Sequence, residues 1–398
     1  MRLAAVSMVR SECDIIESFV RHNAAFFDRL YILDHRSTDT TPDILRKLAE
    51  EGLPLTLSRE GYGIFYQGPS MTHLIKRAFE DHPWDFIVPL DCDEFLRIPD
   101  RSALEAALAD LGAASIGLSD VINYVPTEND DWNERDVLRR IVHRTQLIPD
   151  ISCKIGKVII PGAVIKQPGF SLNEGHHGVC IGGKPVPERR IEGLSLAHFP
   201  VRSVDQFTLR TILCRLAWAS RSDYNPSWGW HYGMFFKQLN PKISIADLTE
   251  AALLYVDIYH EPGRTPHRKV LVREPVTQLT LTSDILRVQG LEGCISGNAP
   301  TGQVPPGGRD GPCAQLARSK PAKVVFGPGT FLNEAIGQIQ DEFSAESKAR
   351  DAQAKVYDRT AETAMETYAR DTGQMDQINL WCDDLAARPA PFKTWRLG

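Results

Sequence analysis

The chain has 398 residues, 42 % of them hydrophobic and 24 % charged, with 45 Lys and Arg against 51 Asp and Glu for a formal net charge of −6. Such usage is that of an ordinary globular protein and excludes a mainly disordered chain, a collagen or a coiled-coil rod, while the acidic balance excludes a broadly basic nucleic-acid surface. No run approaches the roughly 20 apolar residues of a membrane span, the opening MRLAAVSMVRSE is too short in apolar residues for a signal peptide, and eight scattered cysteines without a CxxC pair predict a reduced, cytoplasmic setting with no structural zinc.

In chain order, Leu3 to Val9 predicts a strand, and Ser11 with Asp14 an S-x-x-D start to a helix whose inner face is Ile15, Ile16, Phe19 and Val20. Arg29 to Asp34 predicts the next strand. Thr41 then caps a helix with Pro42 in its first turn, Ile44, Leu45 and Leu48 inside and Gly52 past its end. Pro54 to Ser58 is a third strand. A glycine-containing loop leads into a helix over Ser70 to Asp81, and Asp85 to Leu90 is a fourth strand running into Asp91-Cys92-Asp93-Glu94-Phe95. Alternating strands and helices predict an α/β fold with a mixed, mainly parallel sheet and helices on both faces. From Ile116 to Pro200 the pattern becomes β-like, with IGLSDVINYV and KVIIPGAVI as strands, and Thr208 to Ala219 is helical. An irregular connection over 241–330 contains the Gly/Pro-rich stretch 296–312. A polar C-terminal helical extension covers 331–398, with Glu334 to Arg370 as helix and self-association through it left open.

The chemistry concentrates where a parallel sheet gathers its ligands, at the carboxyl ends of the strands. Asp91 and Asp93 follow an apolar strand two residues apart, so in extended chain both carboxylates face one side and Cys92 the other. Paired carboxylates of this kind suit Mg²⁺ or Mn²⁺, hard ions that keep waters and also take phosphate oxygens. Trp228 and Trp230 lie in an aromatic cluster, YNPSWGWHYGMFF, which serves either as a core or as a stacking platform for a sugar acceptor. His176 and His177, flanked by glycines, suggest an acceptor or diphosphate contact by one ring, His176 being the candidate, or else a surface turn.

The motifs VRSECDIIESFVRHN, LYILDHRSTDTT and IVPLDCDEFL, in this order over roughly residues 1–210, resemble glycosyltransferase family 2 and its relatives with the GT-A fold, in particular the subset carrying D-x-D-E-F. The resemblance implies a nucleotide-sugar-binding half over 1–125 and an acceptor and metal-completing half over 126–240. It implies donor contacts from Val9, Arg10, Glu12, Asp34, Asp39, Lys157 and Asp91, and a Mn²⁺ or Mg²⁺ site built from Asp91, Asp93 and a downstream histidine, His198. Where relatives read D-D-G-S-x-D after the second strand, this chain reads Asp34-His35-Arg36-Ser37-Thr38-Asp39. The activity implied is inverting, hexosyltransferase-type transfer from a UDP- or GDP-linked sugar to a hydroxyl of a glycan or lipid-linked acceptor met in solution or at the membrane face. Glu174 or Asp120 would be the base. Two other readings stay open: a nucleotidyltransferase of the sugar-phosphate pyrophosphorylase kind, and a silent carbohydrate-binding protein on the same fold. His198 could equally be a hydrogen-bonding core histidine, and Lys157 a solvated lysine.

Overall fold

The computed structural model describes residues 1–59, 65–112, 114–146, 155–219, 229–238, 243–259 and 270–276. The elements run β1 (Leu3–Val9), α1 (Ile16–Asn23), β2 (Arg29–Asp34), α2 (Thr41–Glu50), β3 (Leu55–Arg59), α3 (Gln67–Asp81), β4 (Phe86–Pro89), β5 (Glu94–Arg97), α4 (Arg101–Ala109) and β6 (Ile116–Asn123). They continue with α5 (Val137–Arg140), β7 (His143–Thr145), β8 (Lys157–Pro161), α6 (Gly162–Ile165), β9 (Phe170–Leu172), β10 (Val179–Ile181), β11 (Lys184–Pro185) and β12 (Glu188–His198). Three helices, α7 (Val204–Ala219), α8 (Trp230–Gln238) and α9 (Ile245–Tyr259), and β13 (Leu271–Arg273) follow.

β1 is buried along its whole length, and the period of two splits its side chains between two cores: Leu3, Ala5 and Val9 face one, Ala4, Val6 and Met8 the other. Helices α1, α2 and α4 cover the first face through Ile16, Phe19, Leu45, Leu48 and Leu104. Helices α3 and α6 cover the second through Met71, Ile75, Val164 and Ile165. Among the described residues the main sheet has the order β3-β2-β1-β4-β8-β6-β12-β5. Pairs β3–β2, β2–β1, β1–β4 and β6–β12 are parallel; β4–β8, β8–β6 and β12–β5 are antiparallel. The register sets Val9, Asp34 and Arg59 level at the carboxyl ends of β1, β2 and β3, and aligns Asn123, His198 and Glu94 across β6, β12 and β5. Helices α7, α8 and α9 form a third layer, in which Phe207, Phe235 and Leu248 pack on Val121 and Val201.

The mixed, mainly parallel sheet with helices on both faces agrees with the sequence pattern; several local expectations do not hold. KVIIPGAVI is a strand only to Pro161. Gly162 then starts α6 so close to Trp84 that a Cβ would stand 2.3 Å from the Trp84 carbonyl oxygen. The S-x-x-D cap does not form, because Ser11 takes a left-handed backbone (φ 53°) and the Asp14 carboxylate is held by Arg202. Thr40 occupies the N-cap position of α2, and the Thr41 hydroxyl instead accepts the Glu12 N–H at 2.9 Å. Helix α3 starts at Gln67 rather than Ser70, since Gly68 and Pro69 fit a first turn whose N–H groups have no partner within the helix, and α7 starts at Val204 rather than Thr208. Within 241–330, taken as irregular, α9 is a helix built into the third layer and β13 pairs antiparallel with β7. The stretches 296–312 and 334–370 lie outside the described residues. Among those described, no helix is long and apolar enough to cross a membrane.

His22 marks the junction of α1 with β5. Its Nε2–H donates to the Leu96 carbonyl at 2.8 Å, and its ring meets Phe95 edge to face at 5.3 Å. Burial lowers its pKa from 6.5 to about 4 against the opposing pull of the Leu96 carbonyl, so the imidazole is neutral in the fold. In the window between these values the unfolded chain binds a proton here that the fold does not. Stability from this site is therefore complete above pH 6.5 and falls by up to about 3 kcal/mol as the pH drops toward 4. Urea titrations at about pH 7 and about pH 4.5 should show a shallower acid loss for His22→Gln, which keeps a donor and cannot titrate, than for the natural chain.

Candidate active site

A cavity of about 590 Å³ opens at the carboxyl ends of β1 and β4 and is walled by α7, α8 and α9. Its floor is the turn from Leu90 to Asp93, which carries the chain from β4 in mid-sheet to β5 at the far edge, so the sheet curls around it. The Phe199 N–H fixes the turn by donating to the Asp93 carbonyl at 2.9 Å. Cys92 packs against the apolar core and also edges the cavity, and the two aspartates face the cavity; they do so from a turn, closed by the Glu94 N–H on the Asp91 carbonyl at 3.0 Å, rather than from the extended chain that their spacing predicts.

Each aspartate meets its own set of cations. Asp91 Oδ2 accepts from Lys157 Nζ at 2.5 Å and Oδ1 from Gln67 Nε2 at 3.0 Å, with His176 Nδ1 3.7 Å from Oδ1. Lys157 is 1 % exposed and also pairs with Glu94 at 3.0 Å, and Glu94 accepts the Asp91 N–H at 2.9 Å. Asp93 Oδ2 receives the Arg210 guanidinium, with His198 Nε2 at 3.6 Å and Arg202 at 3.7 Å. Asp93 Oδ1 is buried without a hydrogen-bond partner among the described residues. Burial works to raise both aspartate pKa values, but Lys157 and then His176 outweigh it at Asp91, and Arg210 and then His198 outweigh it at Asp93, so both carboxylates are held below the usual range. At Glu94 burial prevails over Lys157 and raises the carboxyl to about 7.

Arg202, fully buried, lies behind Asp93. Its Nε donates to Asp14 at 2.7 Å and its Nη2 to Asp14 at 3.0 Å and to Glu12, while its Nη1 donates to the Phe199 carbonyl at 3.2 Å. Burial raises Glu12 to about 7 even so, with Arg202 and Arg210 pulling the other way. The loop after β1 is also sewn to the loop after β2: Ser11 N–H donates to Ser37 Oγ at 2.8 Å and Cys13 N–H to Asp39 at 3.0 Å. Three residues around this site, Ser11, Arg36 and His176, are the non-glycine residues with positive φ (53°, 57° and 61°) among those described.

Of the candidates from sequence, Val9, Arg10, Glu12, Asp39, Asp91, Asp93, Lys157, Glu174, His198 and Trp230 line the cavity. Glu174 accepts the Gly68 N–H at 3.0 Å at the start of α3, and Trp230 is half exposed at the rim. Lys157 is not a solvated lysine. His198 Nδ1 lies 2.7 Å from Asn123 Oδ1, so this ring is hydrogen-bonded and also adjoins Asp93. Three candidates do not reach the cavity. Asp120 sits on β6 in an ion pair with Arg190, outside the cavity lining. Asp34 turns into its own loop, accepting the Ser37 N–H at 2.9 Å and pairing with Arg59 at 3.2 Å. His176 is fully buried behind Asp91, leaving His177, bonded to the Gly156 carbonyl at 2.9 Å, as the cavity's member of the pair. Trp228 lies outside the described residues. Sequence reading missed Gln67, Arg202 and Arg210 as site residues. Arg202 stands in the same H-F-P-V-R-S segment as His198; Arg210 shares α7 with Asp205 and Arg215, and only the tertiary fold singles it out for Asp93.

The lining tests the expected cation. Among the described residues it carries seven carboxylates against four Lys and Arg, so an anionic ligand entering alone meets an excess of like charge. No group of three or more His, Cys, Asp and Glu side chains is gathered to hold a metal unaided among those residues. The buried, unpartnered Asp93 Oδ1 beside Asp91 nevertheless fits a hard ion that shares its shell with ligand oxygens.

Removing Arg202 would leave the Asp14 and Glu12 carboxylates without the guanidinium that pairs them. Arg202→Ala is expected to cost about 3–5 kcal/mol in urea unfolding, with part recovered in the R202A/D14N double variant.

No family model matches the chain, and no curated protein matches it. Solved structures similar to it include residues 1–349 of S. aureus TarS, at 13% identity and TM-score 0.33 over 67% of this chain and 74% of that one. Another is a mannosyltransferase from Pyrobaculum calidifontis in complex with GDP-Man and Mn²⁺, at 17% identity and TM-score 0.31 over 65% and 75%. A third is glucosyl-3-phosphoglycerate synthase from Mycobacterium tuberculosis with Mn²⁺ and UDP, at 15% identity and TM-score 0.29 over 55% and 77%. Likeness at this distance assigns no activity to this chain.

Proposed function

We propose that the protein is a glycosyltransferase that moves a sugar from a UDP- or GDP-linked donor to a hydroxyl of a glycan or lipid-linked acceptor, with inversion. The observation that supports this most is the Asp91–Asp93 pair on the floor of a cavity at the strand ends, with Arg10, Lys157 and Arg210 as cations in its wall and Trp218, Trp230 and Tyr232 as aromatics. Asp91 and Asp93, with His198 beside them, would hold Mn²⁺ or Mg²⁺. When bound, such an ion supplies positive charge against the negative charge developing on the departing diphosphate.

The protein's own groups do the rest. Arg10 and Asp39, at the tips of the first two strand–helix loops, would seat the nucleoside, and Lys157, held by Asp91 and Glu94, would keep the floor of the site oriented. Trp230 offers a face for the acceptor sugar. Glu174 would take the hydroxyl proton as the acceptor oxygen bonds to the anomeric carbon; the bond from that carbon to the phosphate oxygen breaks, and the nucleoside diphosphate leaves with the electron pair.

Thermal-shift and calorimetric titrations with UDP, GDP and their sugars, with and without Mn²⁺, test this. Expected is nucleotide binding that needs metal and weakens at least about tenfold in Asp93→Asn. Glu174→Gln should keep donor binding and lower turnover about a hundredfold or more. Equal binding without metal would sink the role of the aspartate pair, and pyrophosphate-dependent release of a nucleoside triphosphate would turn the assignment to a pyrophosphorylase.

A further inference from the structure

Two arginines reach Asp93, and they are held in different ways. Arg202 is fully buried and fixed from three sides by Asp14, Glu12 and the Phe199 carbonyl. Arg210 projects from α7 into the cavity wall with 22 % of its side chain exposed. Its guanidinium pairs with Asp93, its Nε donates to the Tyr232 hydroxyl at 3.3 Å, and Glu12 lies 4.0 Å away. Arg202 alone would still leave Asp93 a cationic neighbour, so Arg210 is the cation that can leave without stranding the carboxylate.

The second observation is the acid excess of the lining together with the unpartnered Asp93 Oδ1. A divalent ion arriving at Asp93 meets the Arg210 guanidinium on the same carboxylate, and the two repel. A diphosphate resolves the conflict: it brings oxygens for the ion and a second set of oxygens for the guanidinium, whose planar fork matches phosphate.

We infer that Arg210 is a diphosphate-binding residue that stands on Asp93 until cation and nucleoside diphosphate arrive together, and then moves onto the phosphate oxygens. Cation and diphosphate thereby bind with positive coupling, each raising the affinity of the other. Because Arg210 also touches Tyr232 of α8, its move alters the α7–α8 wall that carries Trp230 at the rim. The identity of the anion rests on the proposed donor reading; the competition between Arg210 and a cation at Asp93 does not.

The experiment measures two affinities in the full chain and in Arg210→Ala and Arg210→Lys: Mn²⁺ alone, from the electron paramagnetic resonance of free Mn²⁺, and UDP or GDP at saturating Mn²⁺, by calorimetry. R210A should bind Mn²⁺ alone about tenfold more tightly and the nucleotide at least about tenfold more weakly, with R210K between it and the natural chain on both scales. Changes of opposite sign separate this role from damage to the fold, which would weaken both. An R210A protein that binds Mn²⁺ no more tightly than the natural chain, or the nucleotide equally well, overturns the inference. If the natural chain binds neither nucleotide, the donor reading fails and the phosphate role with it, while the Mn²⁺ measurement still judges the competition at Asp93.

Discussion

A guanidinium with no access to water sets the geometry of this molecule's working end. Arg202 follows β12, yet its hydrogen bonds run to Glu12 and Asp14, nearly two hundred residues earlier, and its charge reaches Asp93 in the turn after β4. Three segments distant in sequence thus meet at one cation. Burying such a charge is unfavourable unless it is fully paired, so the loop after β1, the Asp91–Asp93 turn and the entrance to α7 have to close on it together. The loss of the helix cap at Ser11 and Asp14 is the local concession to this demand, since Asp14 cannot serve both its own helix and Arg202.

Around that cation the charges are arranged in layers. Lys157 lies under Asp91 and Glu94, and Arg202 behind Glu12 and Asp14. Arg210 faces the cavity from α7. The deeper pairs fix where the carboxylates stand, and the shallower one leaves a carboxylate able to change partners. The aromatic side chains of the helical layer sit across the cavity from this floor, so the polar chemistry and the apolar rim come from different parts of the chain.

Much of this was legible in the sequence where one period governs. The split of β1 into Leu3, Ala5 and Val9 against Ala4, Val6 and Met8, and the inner face of α3, follow from side-chain spacing alone, and the Asp91–Asp93 pair follows from a strand ending in acids. What could not be read is what pairing partners decide. KVIIP reads as a strand whichever way it runs, and only its neighbours β4 and β6 make it antiparallel. Asp120 and Glu174 look alike as candidate bases until Arg190 takes one and α3 presents the other to the cavity. His176 and His177 differ by one residue, and a left-handed φ at His176 decides which ring is buried. Arg210 and Arg215 look alike on α7 until the fold aims one of them at Asp93.

The left-handed backbones at Ser11, Arg36 and His176 carry a further consequence. Each imposes about 1–2 kcal/mol that a glycine there would not. Ser11 is in the lining, Arg36 follows His35 of the lining and His176 precedes His177 of it, so each strained backbone adjoins a side chain of the cavity. Glycine or asparagine at these three positions would relieve that cost and loosen the segments that set His35 and His177 in the lining. A more heat-resistant form of this chain that keeps the site's geometry therefore has to gain its margin elsewhere, in the packed layers around β1.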